Sequence, residues 1–98
     1  MDRHYHNVTR YTSSTFLRMK LDEALEMHKE ALFIRRRALG NDHPDVALSL
    51  NFIAWTLWTK NNNSAEAIRF GLEALSTAER SLGHDHPISM SYRKDWGQ

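Results

Sequence analysis

No cysteine occurs among the 98 residues. That absence removes both a disulfide framework and a thiolate nucleophile, and it is compatible with a reducing compartment. Long apolar runs are missing too: none approaches the ~20 residues a spanning helix needs, and the opening MDRHYHNVTRY lacks an apolar core of signal-peptide length. Secretion and membrane insertion are therefore not expected, and a cytoplasmic protein is. Neither sign of charge dominates. Thirteen Lys plus Arg nearly cancel twelve Asp plus Glu, leaving +1, so composition selects neither nucleic acid nor a membrane surface as partner. Nucleophile elbow, phosphate loop, HExxH and zinc-finger spacing are all lacking, which leaves no sequence argument for an enzyme, a cofactor or a metal. What remains, with 41% hydrophobic and 26% charged residues, is a globular chain of one domain and a thin core.

The chain does contain a repeat. LGNDHP at Leu39–Pro44 returns as LGHDHP at Leu82–Pro87, an offset of 43 residues (82 − 39). Sliding the chain by that offset gives eleven identities over the 22 positions from Glu23 to Pro44, among them Glu23, Ala24, Glu30, Ala31, Leu32 and Arg37. Self-similarity at a period of 20 to 50 residues marks a solenoid, whose units bury their apolar faces by stacking. Within the unit, Ala24, Met27, His28, Ala31, Ile34 and Ala38 recur at steps of three and four, opposite Glu26, Lys29, Glu30, Arg36 and Arg37. That spacing predicts an amphipathic helix from about Asp22 to Leu39.

The hexamer then reads as punctuation. Gly40 and Gly83 are expected to close helices in the left-handed region, and Pro44 has the fixed φ that suits a first helical position. Val46, Leu50, Ile53, Ala54 and Leu57 predict a second helix to about Lys60. Asn61-Asn62-Asn63 is expected to turn the chain, with Ser64 capping a third helix from Ala65 to Leu82. His4 to Met19 keeps helical spacing through Val8, Tyr11, Thr12 and Thr15 but is rich in poor helix formers. Residues 1–20 are thus expected to be a degenerate first helix or a disordered segment, 21–87 the repeats, and 88–98 a partial repeat or a cap in which Met90 and Trp96 lie over the last pair.

With E-A at the start of its second-type helices and E-A-L in their middle, the chain resembles the tetratricopeptide repeat. The stretch MHKEALFIRRRALGNDHPDVALSLNFIA, Met27 to Ala54, is similar to the kinesin light chain type of that array. The resemblance runs from Leu21 to Pro87. It departs at Phe52, where the family usually has a second Asn, and at the Asn run, which replaces a Gly-containing turn. It implies an all-α, right-handed helical-hairpin solenoid of about two repeats with partial flanking helices, acting as a scaffold that holds a protein or peptide.

In such arrays the first helix of each pair lines a concave groove. The resemblance therefore places Leu48, Asn51 and Trp55 at the groove, with Phe52 and Trp58 near its edge, and makes Asn51 the residue that holds a ligand backbone. The competing reading of the same residues is packing against a neighbouring repeat. The run Arg35-Arg36-Arg37 reads as a solvated face offset by Glu26 and Glu30, with a nucleic acid or an acidic peptide as the alternative partner, and no recognition-helix, zinc-finger or aromatic-sheet motif supports nucleic acid. Of the six histidines, His43 and His86 belong to the turn signature and His28 to an apolar face, so no ligand set is assembled. The rival to the groove is a structural segment of a longer array that self-associates through exposed solenoid ends.

Overall fold

The protein is seen in a computed structural model that describes residues 2–62 and 64–97, with side chains from Thr15 onward. Four helices follow one another: α1 (Asp2–Leu39), α2 (Pro44–Lys60), α3 (Ala65–Leu82) and α4 (Pro87–Trp96). Each packs on the next in sequence, so α2 and α3 lie between neighbours on either side. The core is built from Leu25 and Leu32 of α1, the Val46, Ala47, Leu50, Ile53, Ala54, Leu57 set of α2, Ala67, Ala74 and Ala78 of α3, and Tyr92 and Trp96 of α4. No strand occurs among the described residues.

The doubled hexamer works as helix punctuation, and its histidine has a role the sequence reading missed. His43 precedes Pro44 in an extended conformation, and its Nδ1 accepts the Asp45 N–H at 3.0 Å. His86 does the same for the Ile88 N–H at 3.1 Å. Each ring satisfies one of the orphan donors at a helix start, the service usually given by Ser, Thr, Asp or Asn. Both glycines have positive φ, 86° at Gly40 and 98° at Gly83. At Gly83, however, ψ is 156°, so the closure there is mirror-extended and not the left-handed helical form the sequence suggested. Asn61 ends α2 at φ −150°, likewise outside the left-handed region, while the Ser64 hydroxyl caps α3 by accepting the Ala67 N–H at 3.3 Å. Asn63 lies outside the described residues.

Two expectations are corrected at α1. Its helix does not begin near Asp22 but runs unbroken from Asp2. The joining residues Arg18, Met19, Lys20 and Leu21 are all strong helix formers with no Gly, Pro or Asn among them, so nothing local stops the helix. The buried stripe is also rotated from the one expected. Leu25 and Leu32 enter the core, whereas Met27 and Ile34 are 67% and 57% exposed and Ala38 faces solvent. A helix packed along one side can bury only one stripe, and in α1 that is the Leu25–Leu32 side, which joins the core with α2.

Cross-helix polar contacts set the stacking. Arg35 donates to the Ser49 hydroxyl at 2.7 Å, Arg36 to the Glu73 carboxylate at 2.6 Å, and Arg80 to Asp42 at 2.7 Å. Lys60 pairs with Asp22. The arginine run is therefore not a solvated face balanced by Glu26 and Glu30: two of its three members tie α1 to α2 and α3, and Arg37 lies over the Phe33 ring. The ion pairs Arg36–Glu73, Arg80–Asp42 and Lys60–Asp22 are half-exposed, so each adds about 0–1 kcal/mol, and their effect is on orientation.

Candidate functional site

The outer face of α2 carries the site. The inner side of this helix is consumed by the core, with Val46, Leu50 and Ile53 fully buried. Leu48, Phe52 and Trp55 recur at steps of four and three on another side, so they form a second stripe along about two turns. Their exposures are 37%, 41% and 40%. Three large apolar side chains held open in a row on a central helix form a patch able to bury a partner's side chains.

The neighbours of this stripe are aromatic. The His28 ring of α1 stacks on Phe52 with centroids 5.0 Å apart. On the other flank Trp96 of α4 lies 4.8 Å from Trp55 and 6.0 Å, edge-on, from Trp58. Its indole N–H donates to Asn51 Oδ1 at 2.9 Å. Room for the indole comes from Gly71 of α3, where even a methyl group would overlap the Trp96 ring. The mid-helix glycine thus costs α3 about 1 kcal/mol of helix propensity and admits an aromatic side chain in return.

The residues assigned to the groove and its edge consequently divide. Leu48 and Trp55 share the open stripe with Phe52. Asn51 and Trp58 are half-buried and engaged by Trp96. The Trp96 N–H on its oxygen fixes the orientation of the Asn51 amide, whose Nδ2 can only donate. Trp96 lies over the last helix pair in the way a cap would, but Met90 does not join it and is 53% exposed. Sequence reasoning passed over Gly71, although a glycine in the middle of a helical pattern signals close approach of something to the backbone.

Anchorage of α4 completes the flank. Arg93 donates to the Glu79 carboxylate at 2.9 Å and to the His84 carbonyl at 2.8 Å. The Arg93 hydrogen bond holds the Glu79 carboxyl below its usual range, with further lowering from the charges of Arg93 and His84. Burial pushes the Tyr92 phenol up. Ser89 is fully buried and its hydroxyl has no partner, at the position where the preceding repeat has Val46. α4 is thus held by two aromatic residues and one ionic knot and is imperfectly satisfied elsewhere.

Among the described residues no cluster of three His, Cys, Asp or Glu side chains is placed to hold a metal ion, and no helix is long and apolar enough to cross a membrane. The model of the tetratricopeptide repeat family matches residues 13–77, about two thirds of the chain. No curated protein and no solved structure matches.

Proposed function

Because the chain belongs to the tetratricopeptide repeat family, whose members generally mediate protein–protein interaction as scaffolds, we propose that it holds a peptide segment of a partner protein against the outer face of α2. The observation that supports this reading is the open Leu48–Phe52–Trp55 stripe on a helix whose other side is wholly buried. Leu48 and Trp55 bury an apolar or aromatic side chain of the ligand. Asn51 donates through Nδ2 to a ligand backbone carbonyl, held in position by the Trp96 N–H on its oxygen. Trp58 acts from beneath, supporting Trp96 and not the ligand directly. The text from Met27 to Ala54 keeps the kinesin light chain type as the proposed subtype. Arg35 and Arg36, both engaged within the fold, are not assigned to acidic ligand residues.

The test is a selection of displayed random peptides on the wild-type chain, followed by affinity measurement on Leu48→Ser/Trp55→Ser. Selected peptides should carry a large apolar or aromatic residue. They should lose at least about 30-fold in affinity, the effect of one hot-spot contact worth ~2 kcal/mol. The double variant should still melt cooperatively, since both side chains are half-exposed. Peptides that bind wild type and variant alike would remove the assignment.

A further inference from the structure

The exposed side of α1 is a packing face left open. Shifted by 43 residues, its Ala24, Met27, Ala31 and Ile34 correspond to Ala67, Phe70, Ala74 and Thr77 of α3. Those counterparts are inside the fold: Ala67 and Ala74 are fully buried, Thr77 nearly so, and Phe70 packs on the core. On α1 the two larger members, Met27 and Ile34, are more than half exposed. The spacing of the open residues is also more regular than an amphipathic face requires. Leu17, Ala24, Met27, Ala31, Ile34 and Ala38 fill six of the seven positions reached from residue 17 by alternating steps of three and four, and Lys20 fills the other. That is the seam of a two-stranded coiled coil, and it lies about a third of the way round the helix from the Leu25–Leu32 side that packs on α2.

We propose that two copies of the chain pair through this seam, their α1 helices antiparallel about a two-fold axis level with Lys29. The seam is self-complementary in that register. Alanine meets a longer side chain at every layer: Lys20, Met27 and Ile34 lie opposite the partner's Ala38, the partner's Ala31 and the partner's Ala24, and symmetry supplies the reciprocal layers. A parallel pair would set alanine against alanine and leave gaps between the larger layers. Charge agrees with size. On the outer flank the register brings Glu23 toward the partner's Arg37, twice in the dimer. Both residues are exposed, and within the protomer they make only surface contacts, Glu23 with Lys20 and Arg37 with the Phe33 ring. The like-charge meeting is Glu30 with the partner's Glu30, on the solvent flank at the axis. Lys20 to Ala38 amounts to roughly 28 Å of helix. A seam of that length is small for a specific interface, so the dimer is of micromolar strength. The proposal stands apart from the groove on α2, because it uses neither Leu48 nor Trp55.

Sedimentation equilibrium of the whole chain over a concentration series tests it. The wild type should pass from monomer to dimer with a Kd on the order of 1–100 μM. Ile34→Glu sets a charge in the seam at a position exposed in the protomer, so it should weaken dimerisation by about 30-fold or more while the melting transition of the protomer persists. Glu23→Arg and Arg37→Glu should each weaken it several-fold. Combined in one chain they should restore it, because the exchanged charges face one another again in the antiparallel register. Since the chain has no native cysteine, Glu30→Cys should be joined across the axis by a short bismaleimide, whereas Lys29→Cys, on the far side of the helix, should not. A wild type that stays monomeric up to about 300 μM overturns the proposal. So does an Ile34→Glu chain that dimerises as well as the wild type, a combined exchange no better than its single members, or cross-linking of Lys29→Cys in place of Glu30→Cys.

Discussion

Trp96 shows how much one side chain arranges in a small protein. Its indole is 6% exposed, touches two other tryptophans and spends its only donor on Asn51. Asn51→Ala therefore strands a buried N–H, and such a group costs about 1–3 kcal/mol. The expected outcome in urea unfolding is a loss of that size, larger than a free surface asparagine would give, with tryptophan emission shifted as α4 loosens. A change below ~0.5 kcal/mol would mean that the indole has another partner. Glu79 makes a second point at this scale. Its folded carboxyl is held below the range it has in the unfolded chain, so its contribution is complete above that unfolded range and is lost as pH falls through the lower folded value. Acid should accordingly release α4 early, and Arg93→Gln should flatten that part of the pH–stability curve. Equal curves for the two proteins would separate the glutamate from the anchorage of α4.

At the scale of elements, α4 is the piece most dependent on its surroundings. Ten residues fall below the ~12–15 at which an isolated helix holds in water, so its helicity comes from docking on α3. The docking site is the gap at Gly71. Gly71→Ala should add about 1 kcal/mol of propensity to α3 yet displace the Trp96 ring, and the displaced indole and Tyr92 outweigh the gain. The prediction is a lower melting temperature together with faster amide exchange confined to α4. An alanine variant more stable than the parent would show that the ring moves aside at no cost. α2 has the opposite character, since both its flanks are packed, and its N-terminus is fixed by the His43 cap and Pro44.

The whole molecule is elongated, 55 × 29 × 22 Å, with a radius of gyration of 16.5 Å where roughly 13 Å is usual for this length. Stacked helices and the long α1 account for the difference. Such a shape has little interior, and what there is centres on α2. Leu50→Ala, in a fully buried position, should cost about 2–5 kcal/mol and unfold a large share of the chain at 37 °C, whereas Leu48→Ala on the same helix should cost under about 1 kcal/mol. Comparable losses at the two positions, measured by calorimetry, would contradict the sidedness of α2. The unsatisfied Ser89 hydroxyl and the open stripe of α1 lie at the two ends of the stack, the places where a repeat architecture has no inner neighbour to complete it.

By itself the sequence determined the all-α class, the repeat period, the ends of α2 and α3, the positive-φ glycines and the family. These are written in local signals such as Pro at a helix start, Ser at a cap, apolar spacing of three and four, and identical residues 43 apart. It also brought Leu48 and Trp55 onto one side of one helix. Only the tertiary structure decided which stripe of α1 is buried, because alanine-rich and leucine-bearing faces share the same period and the choice rests on what packs against them. Only it engaged Arg35 and Arg36 with Ser49 and Glu73, and only it brought Trp96 onto Asn51 across 45 residues of chain. No local spacing encodes such a meeting. It depends on the shape left by Gly71 and on the stacking of three helices, which is why the indole niche became visible only in the folded molecule.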